Sequence, residues 1–123
     1  MSTLRCTNLQ DTSGGNSLTT AQIYNGTCKA WVQWTAASGT PSIRTSFNVS
    51  SLTDDGVGLF RANFTNAFSD TNYIGAGCAG SNTTSTGHYE CIVWTGTTSY
   101  SWIRTHWQGT QYDLDYCGVM FIR

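Results

Sequence analysis

Charge is the scarcest commodity in this chain. Of 123 residues, six are Lys or Arg and seven are Asp or Glu, 11% in all, against ~25% in ordinary soluble domains. Lys29 is the single lysine, and the net charge is −1. No basic patch exists to neutralise phosphates, which excludes nucleic-acid binding from the expected functions. There is one proline. No apolar run approaches the ~18 residues of a membrane-spanning helix, so membrane insertion is not expected. Met1-Ser2-Thr3-Leu4-Arg5-Cys6 lacks the apolar centre of a signal peptide, which points to folding in a reducing cytoplasm. No run of the sequence has the periodicity of an amphipathic helix.

What the chain has instead is small polar residues and rings. Gly, Ser, Thr and Asn supply 54 of the 123 residues, and 16 are aromatic. The polar excess alone would suggest disorder, but a disordered chain lacks large apolar side chains to offset its entropy. Thr-rich, aromatic-rich, proline-poor sequence suits β-structure. The length fits one domain with one core.

Residues 1–25 are polar and read as a lead-in, with a turn-rich loop at 11–17 and a short strand or single helical turn at 20–24. From residue 26 the alternation becomes regular. Ala30, Val32 and Trp34 share one face, with Trp31, Gln33 and Thr35 opposite. Ile43, Thr45, Phe47 and Val49 line the next strand. Thr53-Asp54-Asp55-Gly56 has the composition of a tight hairpin turn, and Phe60, Ala62 and Phe64 point inward on the return. Residues 72–79 form a further strand whose glycines predict a close approach by a neighbouring group. A second hairpin spans 88–107 across Thr95-Gly96-Thr97-Thr98, with Glu90 expected to pair with Arg104. Residues 116–123 close the domain. The spacing of turns predicts a single all-β domain over 26–123, a jelly-roll-like β-sandwich of about eight mostly antiparallel strands.

Residues 29–34 (Lys-Ala-Trp-Val-Gln-Trp), 44–56 (Arg-Thr-Ser-Phe-Asn-Val-Ser-Ser-Leu-Thr-Asp-Asp-Gly) and 60–65 (Phe-Arg-Ala-Asn-Phe-Thr) carry a resemblance. So do Leu4 to Asp11, Asp70-Thr71-Asn72-Tyr73 and the closing strand from Asp115 to Phe121. Together they resemble a module of bacteriophage virion proteins, above all tail fibres of marine and cyanobacterial phages. Phe68-Ser69 departs from the Met-Pro of that pattern, and Leu59-Phe60-Arg61 replaces a more β-branched run. The resemblance implies a virion structural role without enzymatic activity, in a homotrimer that contacts other virion proteins. With no shaft expected ahead of the module, a tail- or head-fibre tip attaching to the host and a capsid decoration (cement) protein are both expected readings. A polysaccharide depolymerase is the enzyme alternative.

The chemistry-bearing residues are few. Tyr100, Trp102, His106, Trp107 and Tyr112 gather near the last loop and are candidate contacts for a host glycan or protein, or for a sister subunit. Packing is the competing explanation for the same rings. His88-x-x-Cys91 has half the spacing of a zinc site, but no second pair accompanies it. Asp54–Asp55 and Asp113–Asp115 are conceivable calcium ligands. Those four, with Asp70 and Glu90, are the candidate carboxylates for glycoside hydrolysis. No nucleophile motif stands out, and no cofactor or metal is expected. Five cysteines without a secretion signal read mainly as small buried hydrophobes. Cys6–Cys28 and Cys91–Cys117 are the pairings expected if bridges form after host lysis. Rings on both strand faces are more than 123 residues can bury, so a spare face should meet another subunit or a receptor.

Overall fold

Alternation of large apolar and small polar side chains decides the architecture. A computed structural model describes Thr3 and residues 5–81 and 87–123. Its elements in chain order are β1 (Asn8–Gln10), β2 (Ser17–Thr19), α1 (Thr20–Gly26), β3 (Cys28–Thr35), β4 (Ser42–Phe47), β5 (Val49–Gly56), β6 (Leu59–Phe64), β7 (Ile74–Gly80), β8 (Tyr89–Thr95), β9 (Tyr100–Trp107), β10 (Thr110–Gln111) and β11 (Tyr116–Ile122). Eight of these strands have six to eight residues, and they build an antiparallel sandwich. One sheet runs β4-β3-β11-β7; the other joins β5, β6, β9 and β8, with β10 added on β9.

The inward positions of both sheets make one core. Ala30, Val32 and Trp34 of β3 face Phe60, Ala62 and Phe64 of β6, and β11 adds Cys117, Val119 and Phe121. Phe64 is the hub, edge-on to Phe68, Tyr73 and Phe121 at 4.7–5.7 Å between ring centres. Such edge contacts add to the area that the rings bury.

Glycine on β7 sets the sheet separation beside β8. A methyl on Gly75 would stand 2.3 Å from Val93 Cγ1, and one on Gly77 the same distance from Cys91 Sγ. The glycines predicted a close approach, and side chains of β8 make it. Val93 is stiff about χ1 and cannot turn away. Gly75→Ala is therefore expected to destabilise the fold by about 1–3 kcal/mol, read as a lower urea midpoint at constant slope.

Two turns differ from expectation. The β5–β6 hairpin does not turn at 53–56. Pairing continues beyond Asp54 through an irregularity to Gly56 opposite Leu59, so the tip is Val57-Gly58. Asp54 and Asp55 belong to the strand: Asp54 Oδ1 accepts from Gly56 N at 3.0 Å, and Asp55 grips Arg61 with two 2.7 Å bonds. In the β8–β9 hairpin, Thr95 pairs with Ser101, leaving a five-residue loop. That shifts the register by two, so Glu90 lies opposite His106, and Ile92 faces Arg104.

The expected single face of Ile43, Thr45, Phe47 and Val49 also breaks. Asn48 has φ 54°, and there the chain leaves one sheet for the other. Val49 consequently enters the core while Phe47 stays 54% exposed.

Neither expected disulfide forms; all five cysteines are free thiols. Cys28 Sγ donates to Ala30 O, and Cys117 Sγ to Leu114 O. Burial pushes the Cys91 and Cys117 thiols up to about 12, so they pack as hydrophobes. Cys6 and Cys78 are exposed, against the reading of the cysteines as buried.

The polar lead-in folds locally. Asp11 closes the β1–β2 loop by accepting from Gly15 N, Ser13 Oγ and Asn16 Nδ2. Thr19 and Gln22 form a capping box, which selects helix over strand for residues 20–26.

At the far end of the chain, Arg123 binds both carboxylate oxygens of Asp70. The guanidinium holds the Asp70 carboxyl down at about 2, below its ordinary 3.8. A lowered folded-state pKa gives stability that is present above about pH 4 and lost as pH falls towards 2. Asp70→Asn should therefore flatten the dependence of melting temperature on pH between about 4 and 2. The pair is partly exposed, which keeps the effect small.

Candidate functional site

The sandwich presents three surfaces with distinct chemistry. The first is the outer face of the sheet containing β9. Cross-strand register aligns Thr53, Arg61, Trp102 and Trp94 in one row. The two indoles are parallel within 7° at 6.1 Å. Arg61 lies over Trp102 at 5.2 Å and over Tyr100 at 5.5 Å, and Arg104 lies over Trp94 at 5.1 Å. These guanidiniums occupy the ring faces that a sugar would use. The row is a self-contained ladder of rings and cations.

The second surface is a cleft of about 480 Å³ at one end of the sandwich. Its lining includes Trp107, Tyr112, Tyr89, Val57, Asp113 and Asp115. Trp107 and Tyr112 meet edge-to-face at 5.7 Å, and Tyr112 is 49% exposed. Gly58 and Thr105 brace the lining residues Tyr112 and Asp113 from behind. Gly58 N donates to Asp113 Oδ1 at 2.7 Å, Thr105 N to Gly58 O at 2.9 Å, and Thr105 Oγ1 to Tyr112 O at 2.7 Å.

The third is the outer face of the other sheet. Register places Phe47, Trp31, Met120 and Ala76 in one row. Beside it runs a groove of about 550 Å³ whose lining holds no charged residue. Phe47, Met120 and Ile74 are 54%, 48% and 70% exposed. Exposed apolar surface of this breadth is uncommon on a domain that works alone.

The five candidate contacts therefore divide. Tyr100 and Trp102 sit in the ladder, and Trp107 and Tyr112 line the cleft. His106 is buried, its Nδ1 3.8 Å from Glu90 Oε2, beyond hydrogen-bond length. Trp94, the ladder's other indole, was not among the candidates. Its signal was the register of the 88–107 hairpin, which depends on the length of the loop.

The carboxylates have structural partners. Asp54 and Asp113 accept backbone N–H groups, Asp55 and Asp70 bind arginines, and Asp115 Oδ2 accepts from Ser81 Oγ at 2.9 Å. Glu90 lies 3.2 Å from His88 Nε2. Cys91 faces the core, so His88-x-x-Cys91 does not converge. Among the described residues no three His, Cys, Asp or Glu side chains gather as a metal site. No helix among them is long and apolar enough to cross a membrane. Comparison with protein-family profiles, curated proteins and solved structures finds no match to this chain.

Proposed function

We propose that this chain is a surface component of a bacteriophage particle: the tip of a tail or head fibre, working as a homotrimer that attaches to the host. One observation carries the reading. The domain leaves two non-equivalent surfaces wet, an uncharged apolar sheet face and an aromatic end cleft. A trimeric tip uses both, one to join its copies and one to meet the host. The sequence resemblance to phage fibre modules supplies the particle, and the virion the location.

Host contact belongs to the end cleft in this reading. Tyr112 offers an open ring beside hydrogen-bonding groups, the combination that suits a pyranose or a surface protein. Tyr112→Ala should weaken binding of the purified protein to host cells roughly tenfold, ~1.4 kcal/mol, with the melting temperature little changed. Unchanged binding removes the cleft from the proposal.

The apolar face also favours a second reading, a decoration protein whose flat, uncharged surface docks on the capsid lattice. Electron microscopy of particles labelled with antibody against this chain separates the two. Label on a few appendages supports the fibre tip; label over the whole head supports decoration. Particles without label overturn both.

A further inference from the structure

Residues 8–26 fold while burying little: Ile23 alone among them is partly buried. Every residue of β1 and β2 is exposed, and α1 has no buried residue. Leu9 and Leu18 lie directly opposite one another, 50% and 54% exposed, forming an apolar face on the hairpin. The arm is tethered at its end by Lys29 Nζ, 4.0 Å from the centre of the Tyr24 ring. A two-stranded hairpin is marginal in water, and a seven-residue helix is too short to hold itself. Partial burial of Ile23 is all that its own chain sets against the cost of ordering this arm.

The apolar groove has the complementary deficit. Gly118, on the central strand β11, provides a floor without a side chain, and Trp31, Met120, Ala76 and Cys78 stand around it. A pair of leucine side chains is the kind of knob such a floor accepts. Charge raises no obstacle. Between residues 7 and 26 the only charged side chain is Asp11, already bonded within its own loop, and the groove has none. Bringing the two together strands no ion away from water.

We infer that the arm of one copy docks Leu9 and Leu18 into the uncharged groove of a second copy of this chain. The two surfaces differ, so the contact is head-to-tail, and a rotation that closes it makes a ring in which each copy gives one arm and receives one. The inference rests on the self-assembly in the proposed function and specifies its interface.

The groove's exposed Cys78 provides the test. Chains carrying Leu18→Cys, with Cys6 and Cys28 changed to Ser, are prepared with nitrogen-14 and nitrogen-15, refolded as an equal mixture and mildly oxidised. Mass spectrometry of the digest should find peptides joined through positions 18 and 78, about half pairing a heavy with a light partner. Links confined to one isotope, or no 18–78 link, overturn the inference. Separately, sedimentation velocity compares the unsubstituted protein with the Leu9→Asp, Leu18→Asp double variant, whose polar loop and helix cap are untouched. The double variant should sediment as a monomer with the melting transition of the sandwich retained. An oligomer that persists in the variant overturns arm docking while leaving self-assembly standing. An unsubstituted protein that remains monomeric at every concentration overturns both.

Discussion

Gly58→Ala is expected to be among the most damaging single changes in this protein, costing on the order of 2–5 kcal/mol. Two independent penalties meet at one atom. Gly58 has φ +64°, a conformation that L-residues adopt at a cost. The added methyl would also stand 2.6 Å from Thr105 O and 2.6 Å from Tyr112 N. Both are backbone atoms, so no rotamer change relieves the clash. The surrounding bonds prevent the tip from drifting: Gly58 N is held by Asp113, and Gly58 O by Thr105 N. Moving the tip breaks both, and with them the support of Asp113 in the lining of the end cleft. Urea denaturation should show the loss in the midpoint, with Val57→Ala at the same tip as a near-neutral control. If the protein tolerates Gly58→Ala with a midpoint shift no larger than the control's, the tip is looser than this packing implies.

The same residue shows where sequence reading succeeds and where it fails. The strands were legible because burial imposes a period of two: Ala30, Val32 and Trp34 alternate with polar neighbours, as do Phe60, Ala62 and Phe64. The turn was misplaced because Asp54-Asp55-Gly56 has good local turn chemistry. What defeats it is tertiary: Asp113 and Thr105, some 50 residues away, reward a tip at Val57-Gly58 instead. A loop of five residues rather than three likewise moved Glu90 from Arg104 to His106. Thus rings on opposite faces of one strand went to separate sites, Trp102 to the cation ladder and Trp107 to the cleft. The face of a ring follows from parity; its neighbour follows from register, which local sequence fixes less firmly. The arm was legible only as polar, since its few apolar residues are too sparse to reveal the Leu9–Leu18 pairing across a hairpin.

Asn48→Ala is the second substitution expected to do large damage, about 2–4 kcal/mol, because this one side chain controls how the chain passes between sheets. Its φ of 54° is tolerated better by Asn than by most residues. From that corner the amide Nδ2 donates to Lys29 O and to Asn66 O, both at 3.1 Å, while Oδ1 accepts from Asn66 N at 2.8 Å. Lys29 belongs to the first sheet, and Asn66 follows the second sheet's β6, so the amide clasps the two layers where Val49 must enter the core. Alanine loses the clasp, at about 0.5–1.5 kcal/mol per bond, and keeps a β-carbon in left-handed backbone without the polar side chain that lets Asn adopt it. Glycine loses the clasp too, but has no β-carbon to strain the left-handed backbone. Asn48→Gly should therefore be more stable than Asn48→Ala by about 1 kcal/mol, though both fall below the parent in urea midpoint. Asn48→Asp keeps the acceptor for Asn66 N but turns a donor into an oxygen facing two carbonyls, and should also be destabilised. Equal midpoints for the glycine and alanine variants would show that the backbone twist carries no cost there. Parental stability in Asn48→Gly would show that the sheets need no clasp at this corner.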